Sequence, residues 1–171
     1  MTSIDFYTHV DDRLAVAARI VAKAYAAHGS VRVLTPDASA TEALDRLLWT
    51  HPPLSFLPHC RMDSPLAADT PVWIDHALTH DGPAAVLVNL HDAPPPFFSR
   101  FERLAEIVGV DDAAAGRERY KYYRARWAFT FLAATCRGRA AHTRARDRTC
   151  SARALPRHRP HPRSRRAART G

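Results

Sequence analysis

The sequence predicts an α/β fold in which helices flank both faces of a parallel or mixed sheet, followed by a disordered basic tail. Three observations carry this. Strand-like and helix-like patterns alternate through the first 50 residues at strand–helix–strand–helix spacing, which reads as a right-handed βαβ start. Residues 84–90 are an almost continuous apolar run, as expected of a strand buried on both faces. Past residue 135 the composition changes to Arg, Ala, Pro, His, Thr and Ser, with one Leu and no aromatic, too little apolar surface to fold.

Residues 4–8 alternate and are rich in β-formers, giving a first strand. Asp11-Asp12 then caps a helix through His28, with Leu14, Ala18, Val21 and Tyr25 on its buried face and Gly29 as its stop. Val31-Arg32-Val33-Leu34 is a second strand, and residues 41–48 a second helix. Val72-Trp73-Ile74 and the run 84–90 are further strands. Pro94-Pro95-Pro96 precedes a helix expected over 97–108, Gly109 breaks it, and a last helix runs over 111–126 with Asp111-Asp112 as its acidic N-cap. The expected architecture is a three-layer, Rossmann-like domain over 1–126, a transition at 127–135, and an Arg-rich tail at 136–171.

A chain of 171 residues at net charge +8 looks basic, but the charge is not evenly spread. Residues 136–171 hold 12 Arg and one acid, Asp147, for +11, so residues 1–135 carry the remaining −3. The body is mildly acidic, which removes the inference of a nucleic-acid-binding domain that the total would invite. Arg without Lys in the tail is what a GC-rich message read out of frame produces, and that reading is favoured over a basic arm touching DNA phosphates. Three cysteines without a CxxC pair argue against a disulfide framework and a zinc ribbon. No signal peptide and no membrane-spanning run is evident, so a cytoplasmic setting is expected.

No GxxxxGK[ST] or GxGxxG follows a strand, and the turn Thr8-His9-Val10-Asp11-Asp12 carries two carboxylates where a phosphate needs amide groups. Neither a nucleotide cofactor nor a small-molecule substrate is expected. His51, His59 and Cys60 read as packing, and His91-Asp92 as a polar strand end. His76 and His80 are a possible metal pair without a third ligand at fixed spacing. Catalytic residues and metals are therefore assigned to none.

Two stretches stand out. On the last helix Arg117, Tyr120, Lys121 and Arg124 sit at i, i+3, i+4 and i+7 and share one face. Such a face could receive an aromatic group bearing carboxylates, because Arg meets a carboxylate through two parallel hydrogen bonds. Spacing alone also allows a solvated helix face. The second stretch, residues 49–59, holds Trp49 and Phe56 among three prolines, which forbid regular structure. The two aromatics either cap the core edge or anchor a partner.

These motifs together resemble the chi subunits of bacterial DNA polymerase III. The family has a Phe-Tyr in its first strand, here Phe6-Tyr7. A Leu-Trp is followed by Ser-Phe-x-Pro-His, here Leu48-Trp49 and Ser55 to His59, and a Pro-Val-Trp-Ile strand falls at 71–74. The family also has an Arg-Glu-Arg-aromatic-Lys-x-Tyr-Arg helix, here residues 117–124. The resemblance covers roughly residues 1–126. It implies an accessory, non-catalytic subunit of the polymerase holoenzyme that pairs with the psi subunit and holds the acidic C-terminal tail of single-stranded DNA-binding protein (SSB). The tail pocket carries over to Arg117, Tyr120 and Lys121, with Arg124 on the same face. The surface for psi, or an alternative helicase partner, carries over to Trp49 and Phe56. A tail ending in Asp and Phe would need a guanidinium for its carboxylates and an apolar wall for its ring. The family's further Lys one turn before the Arg is here Ala113, a departure that lowers the pocket's charge. DNA would be met only indirectly, through SSB. The rivals are a nucleic-acid-binding module acting through the tail and a small Rossmann-like enzyme.

Overall fold

The computed structural model describes residues 2–50, 56–79, 84–126 and 131–135. Along the chain run β1 (Ser3–Val10), α1 (Arg13–His28), β2 (Val31–Leu34), α2 (Ala38–Thr50), β3 (His59–Arg61), β4 (Val72–Asp75), β5 (Val86–Asn89), β6 (Arg103–Gly109), α3 (Ala113–Arg126) and β7 (Phe131–Thr135). The strands form one sheet in the order β3-β4-β2-β5-β6-β1-β7. Every neighbouring pair is parallel, so the expected parallel or mixed sheet is parallel throughout the described residues.

Two cores sandwich this sheet, giving the expected three layers. On one face Val16, Ala17 and Val21 of α1 and Leu44 and Leu48 of α2 pack on Val31, Val33, Ile74, Val88 and Ile107. On the other, Tyr123 of α3 joins Phe97, Phe98 and Phe101 over Ile4, Phe6, Leu34, Leu87, Leu104 and Val108. Alternate residues of each central strand therefore enter opposite cores, which is why these strands read as unbroken apolar runs.

Local chemistry sets the helix ends. The Asp12 carboxylate accepts from the Ala15 N–H, and Gly29, at φ 78°, closes α1 by donating to the Tyr25 carbonyl. Asp37 accepts from the Ala40 N–H at 2.8 Å. This starts α2 at Ala38, and the helix runs to Thr50, longer at both ends than the expected 41–48.

Four expectations need correction. Residues 97–108 are not a helix: a short 3₁₀ turn at Phe98–Arg100 leads into β6. Phe97, Phe101, Leu104 and Val108 fall at helical spacing, but the three phenylalanines of the turn plug the α3-side core and 104–108 is buried between β5 and β1. The proline-rich stretch regains regular structure at its end, where His59 opens the edge strand β3 beside β4. The stretch 127–135, expected as a transition, holds β7, paired with β1. Asp112 does not cap α3 with its side chain. Its carboxylate accepts from Arg13 at 2.6 Å, and only its backbone carbonyl receives the Gly116 N–H, at 2.9 Å. The Arg-rich tail at 136–171 lies outside the described residues.

Candidate protein-binding sites

α3 is a polar helix held to the sheet by a few inward contacts. Gly116 lies against β6, where a Cβ would stand 2.6 Å from Val108 Cγ1. Arg119 and Tyr123 follow on the same side, both buried. They converge on Glu106 of β6, which is fully buried. Arg119 Nε donates to Glu106 Oε2 at 2.9 Å, Asn89 Nδ2 donates to Oε1 at 2.9 Å, and the Tyr123 hydroxyl donates to the same oxygen. Arg119 Nη1 also donates to the Asp92 carbonyl at 3.1 Å. Burial pushes the Glu106 carboxyl above its ordinary range, while Arg119, Tyr123 and Asn89 pull it back. Burial and then Glu106 push the Tyr123 phenol far up, so it remains a donor.

With Arg119 and Tyr123 turned inward, the helical period turns Arg117, Tyr120, Lys121 and Arg124 toward a groove of about 540 Å³. All four residues singled out from spacing line it together. Its other walls are Phe6, Thr8 and His9 of β1, Val108 and Gly109 of β6, and Val110, Ala113 and Gly116. Tyr120 meets Phe6 edge to face at 5.6 Å. Arg117 and Arg124 are exposed, and Lys121 pairs with Glu118 at 2.7 Å on the outer surface. Among the described residues no carboxylate lines it. The groove is thus an apolar slot rimmed by cations, suited to an acidic ligand with an apolar end.

Sequence reasoning missed the β1 wall. His9 has φ 58°, and the register with β6 shifts between Tyr7 and Val10. The bulge falls at Thr8 and His9, the two residues at the end of β1 that line the groove. Nothing in the local pattern signals it, because the bulge is defined only against β6.

Trp49 and Phe56 lie elsewhere. Trp49 is 59% and Phe56 72% exposed, with ring centroids 5.8 Å apart, so neither caps the core. Trp49 packs against the buried ring of His59, with centroids 5.0 Å apart and planes tilted by 58°. Beside them Asp45, Arg61, Asp63 and Leu66 border a shallow cleft of about 420 Å³, and Leu66 is itself 62% exposed. The patch sits at the β3 edge on the α2 face, whereas the groove lies near the far edge on the α3 face. Five strand spacings separate β3 from β1, about 24 Å.

The weaker candidates resolve into structure or fall outside it. Asp12 occupies the α1 N-terminus that a phosphate would need. His91 accepts from the Ala93 N–H inside the turn after β5. Cys60 is a buried free thiol. His76 lies 3.4 Å from the Thr41 hydroxyl, while His80 and His51 lie outside the described residues. Among the described residues no His, Cys, Asp and Glu cluster could hold a metal, and no helix is long and apolar enough to cross a membrane.

Comparison with known proteins agrees with the motifs. The family model for the DNA polymerase III chi subunit, HolC, matches residues 1–128. DNA polymerase III subunit chi of Pseudomonas aeruginosa is 30% identical over 130 residues, covering 72% of this chain and 90% of the relative. The probable DNA polymerase III subunit chi of Rickettsia prowazekii is 33% identical over 70 residues, 41% of this chain and 42% of that protein. The match ends where the Arg-rich composition has yet to begin, and it takes in both the groove and the patch: the chain belongs to the DNA polymerase III chi subunit family, and with it to the accessory machinery of DNA replication.

Proposed function

We propose that this protein is a non-catalytic adaptor of the cytoplasmic replication machinery, with the groove holding the acidic C-terminal tail of SSB and the aromatic patch holding psi or an alternative helicase partner. The observation that carries this reading is the groove's composition: exposed Arg117, Lys121 and Arg124 over apolar Phe6, Val108 and Tyr120, with no carboxylate lining it among the described residues. A guanidinium takes a carboxylate through paired hydrogen bonds, and the slot beside it accepts an aromatic ring. The placement of the two surfaces on opposite faces supports an adaptor, since one partner leaves the other's surface open. In this reading the clamp loader is reached through psi, and DNA only through SSB.

Fluorescence anisotropy with a labelled peptide of the SSB C-terminus tests it. Saturable binding is expected, weakening as salt rises and unaffected by Trp49→Ala. Failure to bind at low salt, or equal binding of a peptide with its acidic residues neutralised, overturns it.

A further inference from the structure

The aromatic patch rests on a histidine to which the proposed function gives no role. The His59 side chain is 1% exposed. Its Nδ1 lies 2.7 Å from the Leu57 carbonyl oxygen and its Nε2 3.2 Å from the Asp45 carbonyl oxygen. The Asp45 carboxylate stands 3.6 Å from Nε2. All three neighbours are acceptors, so both ring nitrogens are satisfied only when each carries a proton. The two carbonyls belong to different segments. Leu57 precedes β3 and lies one residue beyond Phe56, while Asp45 lies in α2 one turn before Trp49. One ring therefore clips the segment that carries Phe56 to the helix that carries Trp49, and the indole packs against that ring with centroids 5.0 Å apart and planes tilted by 58°. A large aromatic that is exposed and yet fixed loses little freedom on binding.

We propose that His59 is the positioning residue of the Trp49–Phe56 surface, clasping the Leu57 and Asp45 carbonyls through both ring N–H groups and so holding Trp49 in the orientation a partner meets. The inference rests on reading that surface as a partner site. A side chain that lacks either ring N–H leaves the carbonyl opposite it without a donor, and the clasp opens on that side. The charged groups around the ring are Asp45 from α2 and, beyond Cys60, Arg61 of β3 and Asp63, which pair with each other at 3.3 Å.

The test is ¹⁹F NMR on the full chain carrying 5-fluorotryptophan, with Trp49 assigned by Trp49→Phe. At constant pH the Trp49 resonance should shift in His59→Gln, whose single amide cannot reach both carbonyls, while Trp73 keeps its position. His59→Phe keeps a flat ring and removes both ring N–H groups. It should shift the Trp49 resonance likewise, and it serves as the deciding variant should His59→Gln fail to fold. A Trp49 resonance that keeps its position in the folded variants overturns the proposal. A parallel affinity measurement with purified psi or helicase partner should show His59→Gln weakened about tenfold. If the Trp49 resonance responds to the His59 variants but Trp49→Ala leaves partner affinity unchanged, the reading of the surface fails and the clasp stands.

Discussion

The groove and the patch are built on opposite plans. The patch is local: Trp49, Phe56 and His59 lie within eleven residues, and the two exposed rings pack on each other while Trp49 also packs on the buried ring of His59. The groove is assembled from three elements, with walls at Phe6, Val108 and Arg117 drawn from segments far apart in the chain. Its cations stand outside, but their aim is set by a buried pair, Glu106 and Arg119, that touches no ligand surface. A surface whose exposed anchors are two short-range aromatic rings should tolerate damage to the distant fold and depend little on salt. A cationic surface mounted on a buried ion pair should do neither.

The largest effect that could break this contrast is Arg119→Ala. It leaves the Glu106 carboxyl buried without its guanidinium and should cost about 3–5 kcal/mol of stability in urea titration. A cost below about 1 kcal/mol would mean that α3 is not oriented by this pair. Next comes Arg117→Ala, exposed and outside the core. It should leave the melting temperature unchanged and weaken an SSB C-terminal peptide by at least about 30-fold, with Arg117→Lys a partial rescue. A folded Arg117→Ala that binds as tightly as the parent removes the groove from consideration. Trp49→Ala or Phe56→Ala should lose about 2 kcal/mol of affinity for psi or a helicase partner and leave peptide affinity intact. Unfolding by circular dichroism would instead place the ring in the structural core. The smallest effect sharpens the contrast: Lys121→Ala should weaken the peptide less than about fivefold at low salt, and the loss should disappear at about 1 M salt.

Much of this was legible in the sequence, for reasons specific to each element. The face formed by Arg117, Tyr120, Lys121 and Arg124 needs only the helical period, and the structure puts all four in one groove. The strand at 86–89 announced itself by a short apolar run between turns. β6 did not: its leading phenylalanines and Leu104 mimic a helix stripe, and a strand buried on both faces has no alternation to contradict it. β3 is three residues long and follows Pro58, below the length at which a pattern exists. Arg119 lies inside the same motif as Arg117, yet one is buried and the other exposed. Charge at a helical position does not reveal whether a buried Glu waits opposite. The Glu106 partnership spans 13 residues and depends on the strand that was misread, so it was out of reach.

The position of β1 has a consequence for how the chain is made. Among the described residues the first strand pairs with β6 and β7, which come from residues 103–109 and 131–135. On a ribosome adding about 5–20 residues per second, Ile4 and Phe6 wait about 5–20 s for a neighbour. The β2, β4, β5 and β3 set has its partners sooner. The aromatic edge can therefore mature while the nascent chain is still tethered, and the cationic groove is completed only once α3 has been made. A nascent chain of this plan offers an unpaired apolar strand to chaperones throughout that interval, and one truncated before residue 103 would retain a sheet edge but no groove.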